Sequence, residues 1–502
     1  MLSRLDGAWV FPLAAVALWE SPALAQTPPP TGSASADTSV TPPPAASDSP
    51  PPRALTPPLA TSPQAVTPFA PTLGQIPAPV PVDLTAPVPY GFADFTWLNG
   101  ANRQREAVLD SPLFTGTAIL DANYVYDFNQ PIDHTISGST VTVRSNELQI
   151  LVASVGGDFH YQNVHATLTT QLGLYTTIIT RNDPSTGRGQ FDLGTAMRYI
   201  REANAGYHWD VWSGINLDVG IFMSYIGLFS YLNFENWAYQ PSYVSDNTPF
   251  FFDGIRLQAY PSDKFKAELW LINGWQSYGM FNETPGLGFQ LQWRPNGSVA
   301  AVSNGYAGFE TQDDPGRLRV HSDSSLLIKY YDDPRGAFDK AAFSLTADVG
   351  CEQGDGVSCI GGGTAAPNQS FLGFMLYNRF WFTNDIFGLT IGGGAITNPG
   401  RYLVLLPPIQ GATAITGTPY FPETPGTQYK AWDGTVTFDY MPNQFWTYRL
   451  EFNHRAADVP YFSGHGGVTS PDGWSNSPVP PGWKPDLVKS EDRINAAFLF
   501  RL

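Results

Sequence analysis

The feature that most constrains this chain is a recurring segment of about ten residues in which apolar and polar side chains alternate. The stretch GIRLQAYPSDKFKAELWLINGW contains two such segments around the turn Pro261-Ser262-Asp263. One face of the pair is apolar and comprises Ile255, Leu257, Ala259, Phe265, Ala267, Leu269 and Leu271. The other face is polar and comprises Arg256, Gln258, Lys266 and Glu268. Because side chains along a β-strand point alternately to its two faces, this period predicts a hairpin with one apolar and one polar surface.

The same alternation recurs along the chain without a helical pattern. It appears in TAILDANYVYDFNQP, in GLGFQLQWRPNGSVAAVS and in TVTFDYMPNQFWTYRLEFNHR, and again in INAAFLFRL at 494–502. No stretch reaches the roughly 20 consecutive apolar residues that a membrane helix needs. A soluble β-sandwich or propeller is an alternative, but it leaves the terminal strand unexplained. We therefore predict an all-β fold, a transmembrane antiparallel β-barrel.

The turns between these segments are alternately short and long, and this predicts the strand number. The first strand is expected at 117–129 and the last at 490–502. Short turns are expected near 160–163, 209–213, 261–264, 295–297, 332–339, 383–386 and 441–444. Long connections are expected near 130–146, 176–196, 224–249, 275–285, 308–318, 350–369, 397–428 and 456–489. Seven hairpins with one further strand at each end make sixteen strands, with the short turns in the periplasm and the long loops outside.

The composition agrees with this fold and argues against some functions. Charged residues make up only 14%, well under the usual quarter, and aromatic residues also reach 14%. Few charges and many aromatic side chains suit an apolar belt in contact with outer-membrane lipid. The formal net charge of −17 argues against nucleic acid as a partner, because phosphate binding needs clustered Lys and Arg.

The N-terminal part looks like an export signal followed by a tether. Ala8 to Trp19 is a short apolar run, and Ala23-Leu24-Ala25 follows it, which is the pattern of a secretory signal peptide spanning 1–25. Residues 26–89 are rich in Pro, Ala, Ser and Thr and are expected to form a disordered tether in the periplasm. A pre-barrel segment, 90–116, then leads into the barrel, 117–502. This order predicts a protein of the outer membrane of a Gram-negative bacterium.

The only two cysteines, Cys351 and Cys359, lie close together in CEQGDGVSC. In an exported protein, such a pair predicts one local disulfide that closes a loop. A metal site would need more ligands at close spacing, and no His lies near this pair. We therefore expect a disulfide here, no metal site and no cofactor.

Several motifs resemble those of a known family. They are YGFADFTWLNG at 90–100, DANYVYDFNQP and DHTISGS within 121–139, LQAYPSDKFKAELWLINGW at 257–275, the following SYGMFNETPGLGFQLQWRPNGS, and EFNHRAADVPYF at 451–462. Over roughly Tyr90 to Leu502, they make the chain similar to the outer-membrane β-barrel porins described as OmpL-like. The resemblance implies an outer-membrane barrel that acts as a porin, and it implies no catalytic residues. Leu502 departs from the Phe or Trp with which outer-membrane barrels more often end.

A barrel of this size encloses a water-filled lumen, because barrel diameter grows with strand number. The expected function is therefore a porin for passive diffusion of small hydrophilic solutes. A homotrimer is a candidate assembly, and the C-terminal strand is expected to contact the barrel-assembly machinery. The alternative is a surface-exposed binding or adhesion protein, or a structural barrel, with little conductance. The apolar stretch Leu403–Ile409 would favour that alternative if it plugs the barrel mouth.

The third long loop, IGLFSYLNFENWAYQPSYVSDNTPF at 226–250, is the candidate constriction. In sixteen-stranded porins in general, loop three folds into the lumen, and the expectation rests on that analogy. The candidate residues are Glu235, Asn236, Trp237, Tyr239, Tyr243 and Asp246. Aromatic rings beside carboxylates would form a weak track for saccharides. Alternatively, the rings pack the loop against the wall or a neighbouring protomer.

The polar faces of the strands predict the side chains that line the pore. The basic ones are Arg256, Lys266, Arg294, Lys329, Arg449 and Arg501. The others are His165 and the acidic residues Asp121, Asp127, Glu147, Asp218, Glu268, Asp348, Asp439 and Glu451. A ring of one sign would select ions, but this set is mixed. It fits a field across the pore or strand-to-strand pairing of solvated charges, so it predicts no particular ion selectivity.

Catalysis is not expected. A lipase in a barrel wall needs a Ser, a His and an orienting polar group that converge in space. The seven His are scattered along the chain, and no G-x-S-x-G motif occurs. We therefore expect a channel rather than an enzyme.

Overall fold

The computed structural model describes residues 88–502 except 102, 182, 312–314, 362, 364, 400–401 and 403–428. The expected signal peptide, nearly all of the expected tether and the apolar stretch Leu403–Ile409 lie outside these residues. The helices in the described part are Thr96–Leu98 and Asn233–Glu235, both 3₁₀, and α1 (Tyr175–Ile178), α2 (Leu193–Met197) and α3 (Tyr243–Asp246). None of these helices is long and apolar enough to cross a membrane.

Nearly all of the regular structure in the described part is β-strand. The strands are β1 (Asp110–Ser111), β2 (Phe114–Asp127), β3 (Leu148–Tyr161), β4 (Val164–Thr170), β5 (Ile200–Trp209), β6 (Ile215–Met223), β7 (Phe251–Ser262), β8 (Phe265–Ile272), β9 (Gly286–Asn296), β10 (Val299–Phe309), β11 (Leu318–Asp332), β12 (Phe338–Gln353), β13 (Ser370–Phe382), β14 (Phe387–Asn398), β15 (Tyr429–Tyr440), β16 (Trp446–Ala457), β17 (Phe462–Ser463), β18 (Leu487–Val488) and β19 (Ser490–Arg501).

Sixteen of these strands close into a barrel. Strands β2 to β16 pair in sequence order, each antiparallel to the next, and β16 pairs with β19. The ring closes where β19 pairs with β2, from Arg493 opposite Asp127 to Arg501 opposite Ile119. The short strand β1 pairs with β2, and β17 pairs with β18 in a separate small sheet. The predicted sixteen-stranded antiparallel barrel is confirmed, with a first strand that begins at Phe114 rather than at 117.

The connections alternate between short turns and long loops, as the sequence predicts. The short turns are 162–163, 210–214, 263–264, 297–298, 333–337, 383–386 and 441–445. The longer connections include 128–147, 171–199, 224–250, 273–285 and the segment between β16 and β19 that contains β17 and β18. In outer-membrane barrels the short turns face the periplasm, so the end with the short turns is called the periplasmic mouth below.

The outer and inner faces of the wall differ as the alternation predicts. In the hairpin β7–β8, the outward Leu257 and Leu269 are 40% and 62% exposed, whereas the inward Gln258 and Glu268 are 8% and 3% exposed. Aliphatic and aromatic side chains cover the outside of the other strands as well, for example Leu450 at 54% and Phe374 at 56%. Closure pairs the backbone N–H and C=O groups between neighbouring strands, which lipid cannot do. The fold therefore presents an apolar surface to lipid and a polar interior.

Candidate functional site in the barrel lumen

The loop between β6 and β7, residues 224–250, folds into the barrel and is called the constriction loop below. Five of the six candidate residues are at most 2% exposed, namely Asn236, Trp237, Tyr239, Tyr243 and Asp246. The Glu235 side chain is 28% exposed. The ring of Trp237 meets that of Trp381 on the wall edge-on, with centroids 5.8 Å apart. Trp237, Tyr239 and Tyr243 are therefore packed inside the barrel, and the ring of Trp237 holds the loop against the wall.

Carboxylates on the inner wall hold the main chain of this loop. Glu451 on β16 accepts hydrogen bonds from the amides of Tyr239 at 2.5 Å and Gln240 at 2.8 Å. Asp433 on β15 accepts one from the amide of Tyr243 at 3.0 Å. Hydrogen bonds to ionised groups are roughly twice as strong as neutral ones. These carboxylates fix the position of the loop inside the barrel.

Arginines of the same wall hold the carbonyl groups of the loop. Arg449 donates to the carbonyl oxygens of Asn233 and Asn236, each at 3.0 Å. Arg379 donates to the carbonyl oxygen of Trp237 at 3.3 Å. Both guanidinium groups also contact Asp439, which is fully buried with them. The three charges form one network, so each arginine is kept in the orientation that holds the loop.

A second buried ion pair holds the tip of the loop. Arg455 on β16 pairs with Asp246, and its guanidinium carbon lies 4.1 Å from the ring centre of Tyr243. Asp246 also accepts a hydrogen bond from Thr140, which belongs to the first long loop. That first loop thus folds inward as well and covers the constriction loop from the extracellular side.

A cavity of about 310 Å³ remains between the constriction loop and the opposite wall. The wall contributes Arg256, Lys266, Glu268, Trp270, Gln290 and Gln292 from strands β7, β8 and β9. The loop contributes aromatic and polar side chains that include Tyr225, Phe229, Tyr231, Glu235 and Phe250. The loop therefore takes up one side of the lumen and leaves a hydrophilic space along the other.

The charged groups on this open side lie in opposite-sign pairs. The pairs are Arg256 with Asp218 at 2.8 Å, Lys266 with Glu268 at 2.6 Å and Arg501 with Glu235 at 3.7 Å. Pairs this close cancel each other at a distance, so the space has no band of one sign. Burial raises the pKa of the Glu235 carboxyl above its ordinary value, although Arg501 and Arg201 act in the opposite direction.

Four residues predicted to line the pore point into the barrel but lie beneath the constriction loop. They are Asp121, Asp439, Arg449 and Glu451, each at most 2% exposed. Asp121, for example, accepts a hydrogen bond from the hydroxyl of Tyr239 at 2.7 Å. The alternation predicts the direction of these side chains, but the loop separates them from water. The expectation that they border the open lumen is therefore corrected.

The remaining predicted pore-lining residues also contact neighbouring groups. Asp127 accepts a hydrogen bond from the backbone amide of Asn129 at 2.8 Å. Glu147 pairs with Arg144, and Lys329 pairs with Asp332. Asp348 lies 2.7 Å from His321, and His165 lies 2.5 Å from Asp218. The guanidinium carbon of Arg294 lies 4.2 Å from the ring centre of Tyr90. Of these side chains, His165 stays 32% exposed inside the barrel, on the same side as the cavity.

Three residues that hold the constriction loop are not among the residues predicted from the sequence. Asp433, Arg379 and Arg455 all contact the constriction loop. The signal was present for Arg455, because it follows Glu451 at a spacing of four residues and therefore lies on the same inward face of β16. Asp433 lies six residues before Asp439 on β15, and this even spacing likewise places both side chains on the inward face.

The structure joins Cys351 and Cys359 in a disulfide, with Cα atoms 5.1 Å apart. The bond closes the start of the long connection after β12, at the extracellular end of the barrel. Within the described part of the chain, no group of His, Cys, Asp and Glu side chains has the arrangement of a metal site.

A closed sixteen-stranded antiparallel barrel with an apolar exterior and a loop-narrowed polar lumen is a membrane channel by architecture. The sequence profile of the family described as "Putative beta-barrel porin-2, OmpL-like" matches residues 114–477, and the chain belongs to this family. It is thus an outer-membrane β-barrel porin. No curated protein matches the sequence.

The fold is also similar to those of solved outer-membrane proteins. OmpT of Vibrio cholerae is 10% identical, with coverage of 79% of this chain and 100% of that chain and a TM-score of 0.45. The anion-selective porin from Comamonas acidovorans is 11% identical, with coverage of 78% and 99% and a TM-score of 0.44. OprB of Pseudomonas putida is 10% identical, with coverage of 78% and 94% and a TM-score of 0.45.

Proposed function

We propose that solutes cross this porin along the wall formed by β3 to β9 and that the constriction loop sets the width of the path. The observation that carries the proposal is the position of the 310 Å³ cavity, which lies between that loop and the wall residues Arg256, Lys266 and Gln292. The loop is bonded to the wall on its other side through Glu451 and Asp433. The path is therefore off-centre and narrow.

The constriction is rigid rather than a moving gate. The anchoring charges are buried, and removing one partner of a buried ion pair typically costs about 3–5 kcal/mol. Displacing the loop would expose several such partners at once. The channel should accordingly have a small and steady conductance.

The path should select weakly between cations and anions. Three pairs of opposite charge border it, Arg256 with Asp218, Lys266 with Glu268 and Arg501 with Glu235, and their members lie 2.6 to 3.7 Å apart. Local pairing favours uncharged or zwitterionic hydrophilic solutes, since neither sign of charge is attracted along the whole path. This supports strand-to-strand and loop-to-wall pairing over a field across the pore.

Transport in this proposal is passive diffusion and includes no catalytic step. His165, which remains partly exposed inside the barrel, pairs with the buried Asp218, which Arg256 also contacts. Both side chains therefore already have charged partners. A solvated, paired histidine is the ordinary arrangement in a polar lumen.

We further propose a homotrimer, in which the side of the barrel with the shortest strands, around β4, forms the interface. Strand β4 has 7 residues, whereas β12 has 16. A strand needs about 9–11 residues to cross the hydrocarbon core, so the wall around β4 is too short to do so alone. The outward Leu168 and Val219 there are 51% and 55% exposed. A neighbouring protomer would cover this side, and chemical cross-linking of the native membrane protein tests it.

Two features of targeting complete the proposal. The C-terminal strand β19 would be the segment that the barrel-assembly machinery recognises during insertion, since it closes the ring against β2. The Pro-rich residues 26–89 would form a tether in the periplasm, because Val88 leads directly into the periplasmic mouth.

Recording of the refolded full-length chain in planar bilayers tests the function. We expect small ohmic steps and a cation-to-anion permeability ratio close to one. A second measurement, swelling of proteoliposomes in sugars of increasing size, should give a sharp and low size limit. Folded barrels with no steps and no swelling would overturn the proposal in favour of a binding or structural role.

A further inference from the structure

The segment before the first strand lies across the periplasmic mouth. At one end, the amide of Tyr90 donates to the carbonyl oxygen of Asp263 at 2.8 Å, in the turn between β7 and β8. At the other end, Arg103 donates to the carbonyl oxygens of Met441 and Asn443, each at 2.8 Å, in the turn between β15 and β16. These two turns are eight strands apart in a ring of sixteen. Residues 88–101 together with Arg103, called the strap below, therefore span the mouth from one side to the other.

The middle of the strap is bonded to the wall and to the constriction loop. Trp97 is 1% exposed and donates its indole N–H to the carbonyl oxygen of Gly297 at 3.1 Å. Two hydrogen bonds link the strap to the loop: the amide of Gly100 donates to the carbonyl oxygen of Glu235 at 2.8 Å, and the indole N–H of Trp237 donates to the carbonyl oxygen of Trp97 at 3.1 Å. The strap and the constriction loop thus form one continuous layer inside the barrel.

The strap lies too close to the loop to leave space between them. A Cβ atom placed on Gly100 would lie 1.9 Å from the carbonyl oxygen of Asn236. On the other side, Arg379 of the wall donates to the carbonyl oxygen of Gly100 at 2.8 Å. A solute cannot pass between groups in direct hydrogen-bonding contact, so this part of the lumen is closed.

The strap divides the mouth into a covered side and an open side. On the covered side, Arg379 and Ala342 are fully buried. On the open side, Asp158 of β3 is exposed, and His165 of β4 is 32% exposed. Both point inward, because Asp158 accepts from Thr167 across the strand pair and His165 contacts Asp218. The open side is therefore the side of β3 and β4.

We propose that the strap is a specificity-determining element of this porin: it forms the periplasmic half of the constriction and confines solutes to an exit beside β3 and β4. The proposal rests on the function proposed above and adds a second narrow point to the path. The constriction loop limits solutes in the middle of the lumen, and the strap limits them at the exit. Small hydrophilic solutes pass on the Asp158 side alone.

Thiol labelling tests the two sides of the mouth directly. Both native cysteines are in a disulfide, so a single introduced cysteine can be followed with a charged methanethiosulfonate reagent in the folded full-length protein. Asp158→Cys should react rapidly, and Ala342→Cys should react at least tenfold more slowly. Equal rates at the two positions would overturn the proposal. Wild-type protein, with no free thiol expected, is the control.

Loosening the strap tests its effect on transport. Trp97→Ala combined with Arg103→Ala removes the side-chain anchors, and the matched control is Arg105→Ala, whose side chain is exposed. We expect a larger single-channel conductance and a higher size limit for the double variant and wild-type values for the control. Faster labelling of Ala342→Cys in the double-variant background should accompany them. Heat-modifiable mobility on gels verifies folding.

The outcomes separate the two proposals. A folded double variant with wild-type conductance, size limit and labelling would refute the strap and leave the porin path intact. Absence of any conductance in wild type and variants would refute the path itself. If the double variant does not fold, Trp97→Phe, which removes one hydrogen-bond donor and keeps an aromatic ring, combined with the labelling rates decides the question.

Discussion

Trp237 of the constriction loop donates its indole N–H to the main-chain oxygen of Trp97 in the strap, at 3.1 Å. The two tryptophans are 140 residues apart in sequence, and each is 1% exposed. Their contact joins the element that narrows the middle of the lumen to the element that covers its periplasmic mouth. The constriction loop and the strap are therefore held together as one structure, which is called the partition below.

The hydrogen bond between these residues should contribute measurably to the stability of the partition. Trp237→Phe removes the donor, leaves the Trp97 carbonyl without this partner, and should lower the free energy of unfolding by about 1–3 kcal/mol. Current noise should increase, because the loop and the strap can then move separately. Urea unfolding and single-channel recording measure the two effects. Trp212→Phe, at an exposed tryptophan in a periplasmic turn, is the control, and an equal effect there would contradict the prediction.

The ion pair between Arg455 and Asp246 should be necessary for the fixed position of the constriction loop. Arg455→Ala leaves the Asp246 carboxylate buried without its partner, and we expect a loss of about 3–5 kcal/mol in the free energy of unfolding. Arg455→Met combined with Asp246→Asn removes both charges and should recover much of this loss.

The measurement is the urea midpoint of the refolded protein, together with the variance of the open-channel current. Arg335→Ala is the matched control, because that arginine is exposed in a short turn. If Arg455→Ala unfolds at the wild-type midpoint, the loop is not held by this pair.

The architecture of the wall could be predicted from the sequence because the alternation is local. Arg256 and Leu257 are neighbours in sequence, and their opposite directions follow from strand geometry alone. Turn lengths are local as well, so the strand number and the closing pair of strands could be counted. In the hairpin β7–β8, every side chain predicted to point outward or inward does so in the structure.

The filling of the lumen could not be predicted because it depends on contacts between distant segments. Glu451 accepts from the amide of Tyr239, which is 212 residues away, and no local pattern indicates that contact. The rings of Trp237 and Tyr243 are equally suited to line a path or to pack against a wall, and only the position of the loop distinguishes these roles. The strap was missed for the same reason, since a sequence such as YGFADFTWLNG has no alternation that reports where it docks.

The outward face of β16 should tolerate a charge only near its ends. Leu450 is 54% exposed on this face, within the strand and away from both of its ends. Leu450→Arg should cost about 2–4 kcal/mol if the residue lies near the bilayer midplane. His454→Arg places the same charge on the same face, nearer the extracellular end of the strand. Asp492 lies 2.7 Å from His454 in the wild-type protein and would pair with the new arginine. This substitution should cost about 0–1 kcal/mol. The fraction that folds into lipid vesicles measures the difference, and equal yields would argue against a lipid-facing surface here.

Glu235 should make the ion selectivity of the channel depend on pH. It borders the cavity, faces Arg501 at 3.7 Å, and has a pKa that burial raises above the ordinary value for Glu. As the pH falls through this raised pKa, the carboxylate becomes neutral and the path loses a negative charge, so the preference should shift toward anions. Glu235→Gln lacks the charge at every pH and should show the shift already at neutral pH. Because two unit charges about 4 Å apart interact by about 1 kcal/mol in water, the permeability ratio should change by up to about fivefold.

Reversal potentials in a salt gradient measure the permeability ratio. Glu283→Gln, at an exposed loop position, is the control for net charge. If wild type and Glu235→Gln have the same reversal potential throughout the titration, Glu235 does not border the path of the ions.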